Sequence, residues 1–584
     1  MDPELVQPNA YIALRLPSDS TMIVQVLPNT TISIGKYGAF QANNVLGRPY
    51  HLTFEIRDTV THDGKAQSGL RVVPAAELYA DIKDETPETP PEVEGENSSA
   101  SGDGVEYEVV GQNGEVVVRT NRQIIDDPNS QIMTMDEIEA LKAQSTGSGK
   151  ELIAKILESH SALDQKTAFA LAKYTLRKTK KYLRRFTVLP LDVPTLARWI
   201  LTDKEPMKIM ELRGEILSLI GSWSNVHCTP SISTPSLDGD GMQMKGGRWL
   251  VIDETAGLLV AYMAEKMAIL HPPGHDEQEA GSNIPSKQKA DAVNGDNANG
   301  EPTTKDVIAP PLYHPRPRKT SGPATTNTIT LIHANAQPNL SLLKYFHFDA
   351  FNPSTSHPLE SHLKTLSWLQ LLSPEDDIGY VEPATASEEV IQSWKSGKRS
   401  NHFRKRRRWE RIKFIADETR AGKFDGLIVA SIMSPVSILQ HTVPLLRGAA
   451  QVVVYSPTIE PLVELSDCYS TARRTAFVTN PPDPDMMPTE DFPLNPTLLL
   501  APTIQTARSR SWQVLPGRTH PLMTGRGGSE GYVFTATRVL PAKGKVEARG
   551  KFKRRKVDGV MTRVSSVQGT PASGDSGTVE MDAS

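Results

Sequence analysis

From residue 247 onward the chain carries five short strings: RWLVI at 248–252, TITLIH at 328–333, LIVAS at 427–431, QVVVY at 451–455 and YVFTATR at 532–538. They are mostly apolar rather than strictly alternating, which is the pattern of strands buried on both faces. Helical stretches separate several of them, and strands interleaved with helices build a largely parallel sheet with helices on both sides. This feature predicts an α/β domain over residues 246–541 and excludes an all-helical or half-exposed antiparallel one. A Pro-, Gly-, Asn- and Asp-rich segment at 272–325 interrupts the pattern and reads as a disordered insertion, because it cannot bury enough apolar surface to hold a fold.

The first part of the chain has a different rhythm. Short β-rich runs at 11–16, 22–27, 31–34 and 51–56 are separated by Pro-Ser-Asp, Pro-Asn and Gly-Arg-Pro, and a hairpin is expected from 105–110 and 115–119 around Gly111 and Gly114. This predicts an N-terminal β-barrel-like domain over 1–125 with an acidic disordered insertion at 81–104. A helical, basic connecting region follows over 126–225. Thr134 with Glu137, and Ser148 with Glu151, have capping-box spacing. A helix is expected over 164–185, and Leu212, Ile216, Leu219 and Ile220 mark another. Residues 542–584 read as a mobile basic and polar tail.

Charge is distributed unevenly. Residues 81–103 hold eight acidic residues against Lys83, and 272–304 hold six against Lys287 and Lys289, so the rest of the chain is positive although the whole stands at −4. A basic body under a near-neutral total suits a polyanionic partner. Cys228 and Cys468 are too few for a disulfide framework or a zinc site and point to a reducing compartment. No apolar window reaches membrane-spanning length, and the start of the chain lacks a secretory pattern, so no membrane partner is expected.

In a doubly wound domain the turn after the first strand is where a nucleotide-like cofactor docks. Here it reads Asp253-Glu254-Thr255-Ala256-Gly257, with one glycine where a ligand-cradling turn needs several. The next strand ends in His333-Ala334-Asn335, without the carboxylate that accepts from ribose hydroxyls. The pattern is a degenerate cofactor site. Ser145–Glu151 is set aside as a phosphate loop, because its spacing fails and Glu151 replaces the metal-binding hydroxyl.

Two basic runs remain. In residues 173–186, seven of fourteen residues are basic and none is acidic, and Lys173, Arg177, Lys180 and Arg184 fall at i, i+4, i+7 and i+11. A polyanion would relieve the repulsion along such a stripe; a solvated face or a localisation signal is the alternative. The run at 395–413 sets Lys398, Arg399 and Arg404 to Arg408 among Trp394, Phe403 and Trp409, suited to stacking on unpaired bases or to nuclear import. The cluster Lys551-Phe552-Lys553-Arg554-Arg555-Lys556 fits an import signal better.

Taken in order, several blocks resemble the non-catalytic subunits of the eukaryotic tRNA (adenine-58-N1) methyltransferases. They are Ile34–Phe40 leading to Gly47–Tyr50, Asn121-Arg122 with Asp126-Asp127 and Asn129-Ser130-Gln131, the basic helix, Met210–Arg213, Asp253–Gly257, residues 427–431 and Arg518–Pro521 with Gly531-Tyr532. The resemblance implies an N-terminal β domain joined to a methyltransferase-like Rossmann domain that binds no S-adenosylmethionine. The cofactor is expected on a catalytic sister subunit, in a nuclear dimer of heterodimers that shares tRNA. It further implies RNA contacts at Asn121, Arg122, Asn129, Ser130, Gln131, Lys173, Arg177, Lys180, Lys181, Arg184, Arg185, Arg213, Arg518 and His520, and no catalytic or metal-binding residue. An autonomous S-adenosylmethionine-dependent RNA methyltransferase, or a nuclear nucleic-acid adaptor without such a partner, are the alternatives.

Overall fold

The computed structural model describes residues 5–60, 66–78, 108–110, 116–118, 131–144, 149–161, 168–228, 246–271, 324–350, 357–384, 386–515, 518–522 and 529–540. The acidic insertion, nearly all of 272–325 and the tail lie outside them, as do Asn121, Arg122, Asn129 and Ser130.

Strands β1 (Tyr11–Arg15), β2 (Thr21–Gln25), β3 (Thr31–Ser33), β4 (Ala39–Gln41), β5 (Thr53–Val60) and β6 (Ala66–Val72) open the chain. The expected hairpin is present as β7 (Glu108–Val110) paired with β8 (Val116–Val118). The N-terminal sheet has the order β2-β1-β9-β5-β6, where β9 is Arg185–Pro190, and its neighbours run antiparallel. Phe186 of β9 stacks on Phe40 at 4.6 Å and on Phe54 at 5.7 Å, in a core with Ile12, Leu14, Ile56 and Val188.

This corrects two expectations. The basic helix α3 (Ala168–Tyr182) stops three residues short of Arg185, because Phe186 and Val188 alternate with Thr187 at the period of a strand. The connecting region is also not one unit. Helices α1 (Met135–Gln144) and α2 (Lys150–Glu158) join α3 through a small core of Ile138, Leu152, Ile153, Ile156 and Tyr182. β9 completes the N-terminal sheet. Helices α4 (Val193–Asp203) and α5 (Gly214–Trp223) pack on the second sheet. Of the two expected capping boxes, Thr134 and Glu137 exchange their hydrogen bonds as the spacing requires. Helix α2 starts from Gly149 in the left-handed region, and Ser148 of the second expected box lies outside the described residues.

The second sheet consists of β10 (Arg248–Asp253), β11 (Thr328–His333), β12 (Leu363–Ser367), β13 (Phe424–Ala430), β14 (Leu446–Ser456), β15 (Leu499–Gln505) and β18 (Tyr532–Arg538). Its order is β12-β11-β10-β13-β14-β18-β15, with β18 antiparallel to both neighbours and the other pairs parallel. This is the methyltransferase-like variant of the doubly wound fold. Successive side chains of a strand point to opposite faces: Trp249 and Val251 join α4, α5 and α6 (Leu258–Lys266) in one core, while Leu250 and Ile252 join Ile438, Leu439 and Leu462 in the other. The strand order reverses beside β10, so the ligand crevice of the fold lies beyond the carboxyl ends of β10, β11 and β13. A separate hairpin, β16 (Trp512–Leu515) with β17 (Arg518–Pro521), precedes β18.

Candidate nucleic-acid interface

Helix α3 has no acidic residue in its first turn, and Lys180 and Lys181 stand in its last, where cations favour the negative end of the helix dipole. Its C-terminus is held from the N-terminal domain. The buried Tyr37 hydroxyl donates to the Lys180 carbonyl at 2.7 Å, satisfying one of the carbonyls that a helix end leaves unpaired. Tyr37 sits in a short turn between Gly35 (φ 63) and Gly38 (φ 114), in the left-handed region that glycine tolerates. Arg177 and Lys181 are exposed, and Lys173 is half-buried with its ammonium over the Phe169 ring. Burial and then the charge of Lys181 lower the Lys178 pKa, and its ammonium lies over Tyr174.

Strand β16 lies against α3, so the hairpin carrying Arg518 and His520 comes up to the basic helix from more than 330 positions further along the chain. His520 pairs in register with Gln513, and Trp512 with Pro521. Trp512 is 58% exposed, and Arg510 just before the hairpin is exposed as well. Lys36 is exposed beside Tyr37, the residue that fastens the helix end. Trp512, Arg510 and Lys36 were not predicted as site residues. An isolated Trp in the polar, arginine-bearing SRSWQ run was the available signal for the first two.

Several expected contacts are committed to the protein itself. Arg185 is 4% exposed, and its Nε and Nη2 donate to Glu55 Oε2 at 3.1 and 2.9 Å while it also reaches Glu77, so it is a buried structural cation of the N-terminal sheet. Arg184 leaves the helix and donates to the Tyr37 carbonyl at 3.3 Å. Gln131 uses both ends of its amide, accepting from Tyr174 Oη at 2.9 Å and donating to Ser159 Oγ. Arg213 donates from Nε and Nη2 to the Ser529 carbonyl at 3.2 Å, tying α5 to the segment that enters β18. Lys180 pairs with the exposed Asp19. Lys173, Arg177, Lys181 and His520 are left as the expected residues most open to a partner; the side chain of Arg518 lies outside the described set.

The turn after β10 is closed on itself. Asp253 is buried; its Oδ1 accepts from the Thr255 backbone N–H and hydroxyl, both at 2.6 Å, and its Oδ2 from Val260 N at 2.9 Å. Burial raises the Asp253 pKa, and these hydrogen bonds oppose the rise. Glu254 Oε2 accepts from Ser431 Oγ and Ile432 N at 2.9 and 2.7 Å, bridging to the end of β13. Gly257 (φ 90) has Leu340 packed over it, so close that an added Cβ would meet Leu340 Cα at 3.0 Å. Leu342 N donates to the Ala256 carbonyl at 3.1 Å. Both Asp253 oxygens and Glu254 Oε2 are thus engaged by the chain itself, and Leu340 fills the space above the glycine. Burial lowers the His333 pKa, and its Nδ1 lies 2.7 Å from the Asn335 carbonyl. Further along the crevice a cavity of about 280 Å³ remains, lined by Ala334, Trp368, Met433 and His441.

Residues 5–395 match the Gcd10p family. The chain belongs to the Gcd10p family. Among curated members it is similar to the tRNA (adenine(58)-N(1))-methyltransferase non-catalytic subunit trm6 of Aspergillus fumigatus, 48% identical over 99% of both chains. It is also similar to the trm6 subunit of Aspergillus oryzae (48%, 94% of this chain and 95% of that one) and of Schizosaccharomyces pombe (27%, 94% and 95%). Family membership agrees with the resemblance carried by the sequence blocks and with the methyltransferase-like strand order.

Proposed function

We propose that this chain, a non-catalytic subunit of a tRNA (adenine-58-N1) methyltransferase, grips tRNA and presents it to the catalytic subunit without contributing to the chemistry. The observation that carries the reading is the meeting of α3 with the β16–β17 hairpin, which collects Lys173, Arg177 and Lys181, Trp512 and His520 on neighbouring elements. Cations at this spacing neutralise phosphates and release counterions, and an exposed indole offers a stacking platform for an unpaired base. Folded tRNA is read through shape, backbone and unstacked bases, so such a surface can orient it without reading a duplex. The self-satisfied turn at Asp253–Gly257 supports a chain that binds no S-adenosylmethionine and leaves donor and proton transfer to its partner. Assembly as a dimer of heterodimers and a nuclear location, favoured by the basic cluster at 551–556, complete the proposal.

The test uses the chain in complex with its catalytic subunit and follows tRNA affinity against salt. K173A/R177A/K181A removes three cations that hold nothing else together by ion pairing among the described residues. The expected result is binding weaker by about tenfold or more at low salt, with the log–log salt slope reduced by about 2 to 3, and an intact complex by gel filtration. Unchanged affinity and slope would refute the assignment of this face.

A further inference from the structure

The arginine-rich run at 395–413 forms neither a loop nor part of α3. It is the N-terminal two-thirds of one uninterrupted helix, α7 (Ser396–Arg420), about 37 Å long at 1.5 Å per residue. Its two ends are built differently. The C-terminal end is anchored: Ile415, Ala416 and Thr419 are buried, Asp417 accepts from Tyr380 Oη at 2.7 Å, and Glu418 pairs with Lys364 at 2.6 Å. Trp409 Nε1 donates to the Tyr380 carbonyl at 2.9 Å, and nearer the N-terminus Arg399 donates to the Gln392 carbonyl at 2.8 Å and His402 packs edge-on against Trp394. Between Ser396 and Arg408 no residue is buried.

This portion, which contributes nothing to the core, ought to be a poor helix. Residues 396–413 hold nine Lys and Arg against Glu410 alone, so like charges face one another at i+3 and i+4. Lys398 and Arg399 stand at the positive end of the helix dipole, where no acidic residue occupies the first turn. Among the described residues only Arg406 has its charge answered along the helix, by Glu410 at 3.2 Å. Arg404, Arg407, Arg408 and Arg411 recur at i, i+3, i+4 and i+7 and are all exposed. Arg404 donates only to the neutral Asn401, Arg411 reaches Glu360 no closer than 3.8 Å, and Arg407 and Arg408 have no ion pair among the described residues. Phe403, 42% exposed, lies one turn before Arg407 on the side away from the buried residues. An arginine stripe about 10 Å long beside an exposed aromatic ring matches two or three successive phosphates with a base free to stack.

We propose that this face of α7, centred on Arg404, Arg407 and Arg408, is a second tRNA-backbone site, separate from the α3–hairpin surface and carried by the Rossmann domain. The bound polyanion removes the repulsion that this portion of the helix otherwise bears. The inference rests on the reading of the protein as a tRNA-binding subunit and adds a further contact surface to it.

The experiment measures binding of an unmodified tRNA transcript to the complex of full-length chain and catalytic subunit, from 50 to 300 mM salt. R404A/R407A/R408A is compared with R404K/R407K/R408K and with K173A/R177A/K181A. Alanine is the strongest helix former and these side chains contact no core, so helicity by circular dichroism should be kept or raised. The expected result is a salt slope lower by about 2 to 3 and affinity lower by about tenfold or more at 50 mM for the alanine variant, with the lysine variant retaining the slope. An alanine variant with wild-type affinity and slope overturns the proposal, and so does one that loses only import-receptor binding while keeping tRNA. A wild-type complex that fails to bind tRNA at all overturns the earlier reading as well. Loss in K173A/R177A/K181A with none in R404A/R407A/R408A overturns only this inference.

Discussion

Arg185→Ala separates a buried structural cation from an RNA contact. Arg185 is 4% exposed and Glu55 1%, and the guanidinium donates to Glu55 Oε2 at 2.9 and 3.1 Å and to Glu77 as well. Removing one partner of a buried pair costs about 3–5 kcal/mol, because the remaining charge stays desolvated. Glu55 keeps Arg57 at 2.7 Å and Arg71 at 3.0 Å, which places the expected loss at the lower end, about 3 kcal/mol. A chain with two separate large sheets need not unfold in one step, so the readout is hydrogen exchange of the amides in β1, β9 and β5, which reports local opening. About 3 kcal/mol corresponds to roughly a hundredfold loss of protection there. Amides of β10 and β13 should be unchanged, and tRNA affinity of the folded complex close to wild type. Unchanged protection together with weaker tRNA binding would refute the reasoning and return Arg185 to the interface.

Two further perturbations test other parts of the structure. Burial raises the Glu265 carboxyl to about 7, opposed by the Val193 N–H at 3.3 Å, so the folded state holds a proton that the unfolded chain, near 4.5, has released. That contribution to stability is complete below about 4.5 and lost as pH rises through 7; Glu265→Gln should therefore flatten the fall in melting temperature between pH 5 and 8, and an unaltered profile would contradict the assignment. Gly257→Ala places a side chain in the left-handed region and against Leu340 Cα, at a cost of about 2 kcal/mol read as lost exchange protection in α6; a neutral effect would mean that the turn is not closed by Leu340.

The strings at 248–252, 328–333 and 532–538 announced their strands because burial on both faces leaves a continuous apolar signature in the residues themselves. Strands β12 (LKTLS) and β15 (LLAPTIQ) were not legible: they are edge strands, part-polar, and β15 contains a proline. The single glycine in Asp253–Gly257 was legible as a degenerate turn, but that Leu340 fills the space above it was not. Nor was the hairpin of Trp512 and His520 placed beside α3, since nothing local records a contact over that separation.

Periodicity and composition alone thus determined the α/β class, the basic character of 173–185 and the single-glycine turn at 253–257, because these depend on neighbours within a few residues. What each cation does was decided only in three dimensions. Arg177 and Arg185 are eight positions apart in one basic run, yet one faces solvent and the other meets Glu55, 130 residues away. The energy of a charge is set by its burial and by the groups opposite it, and both are properties of the folded chain.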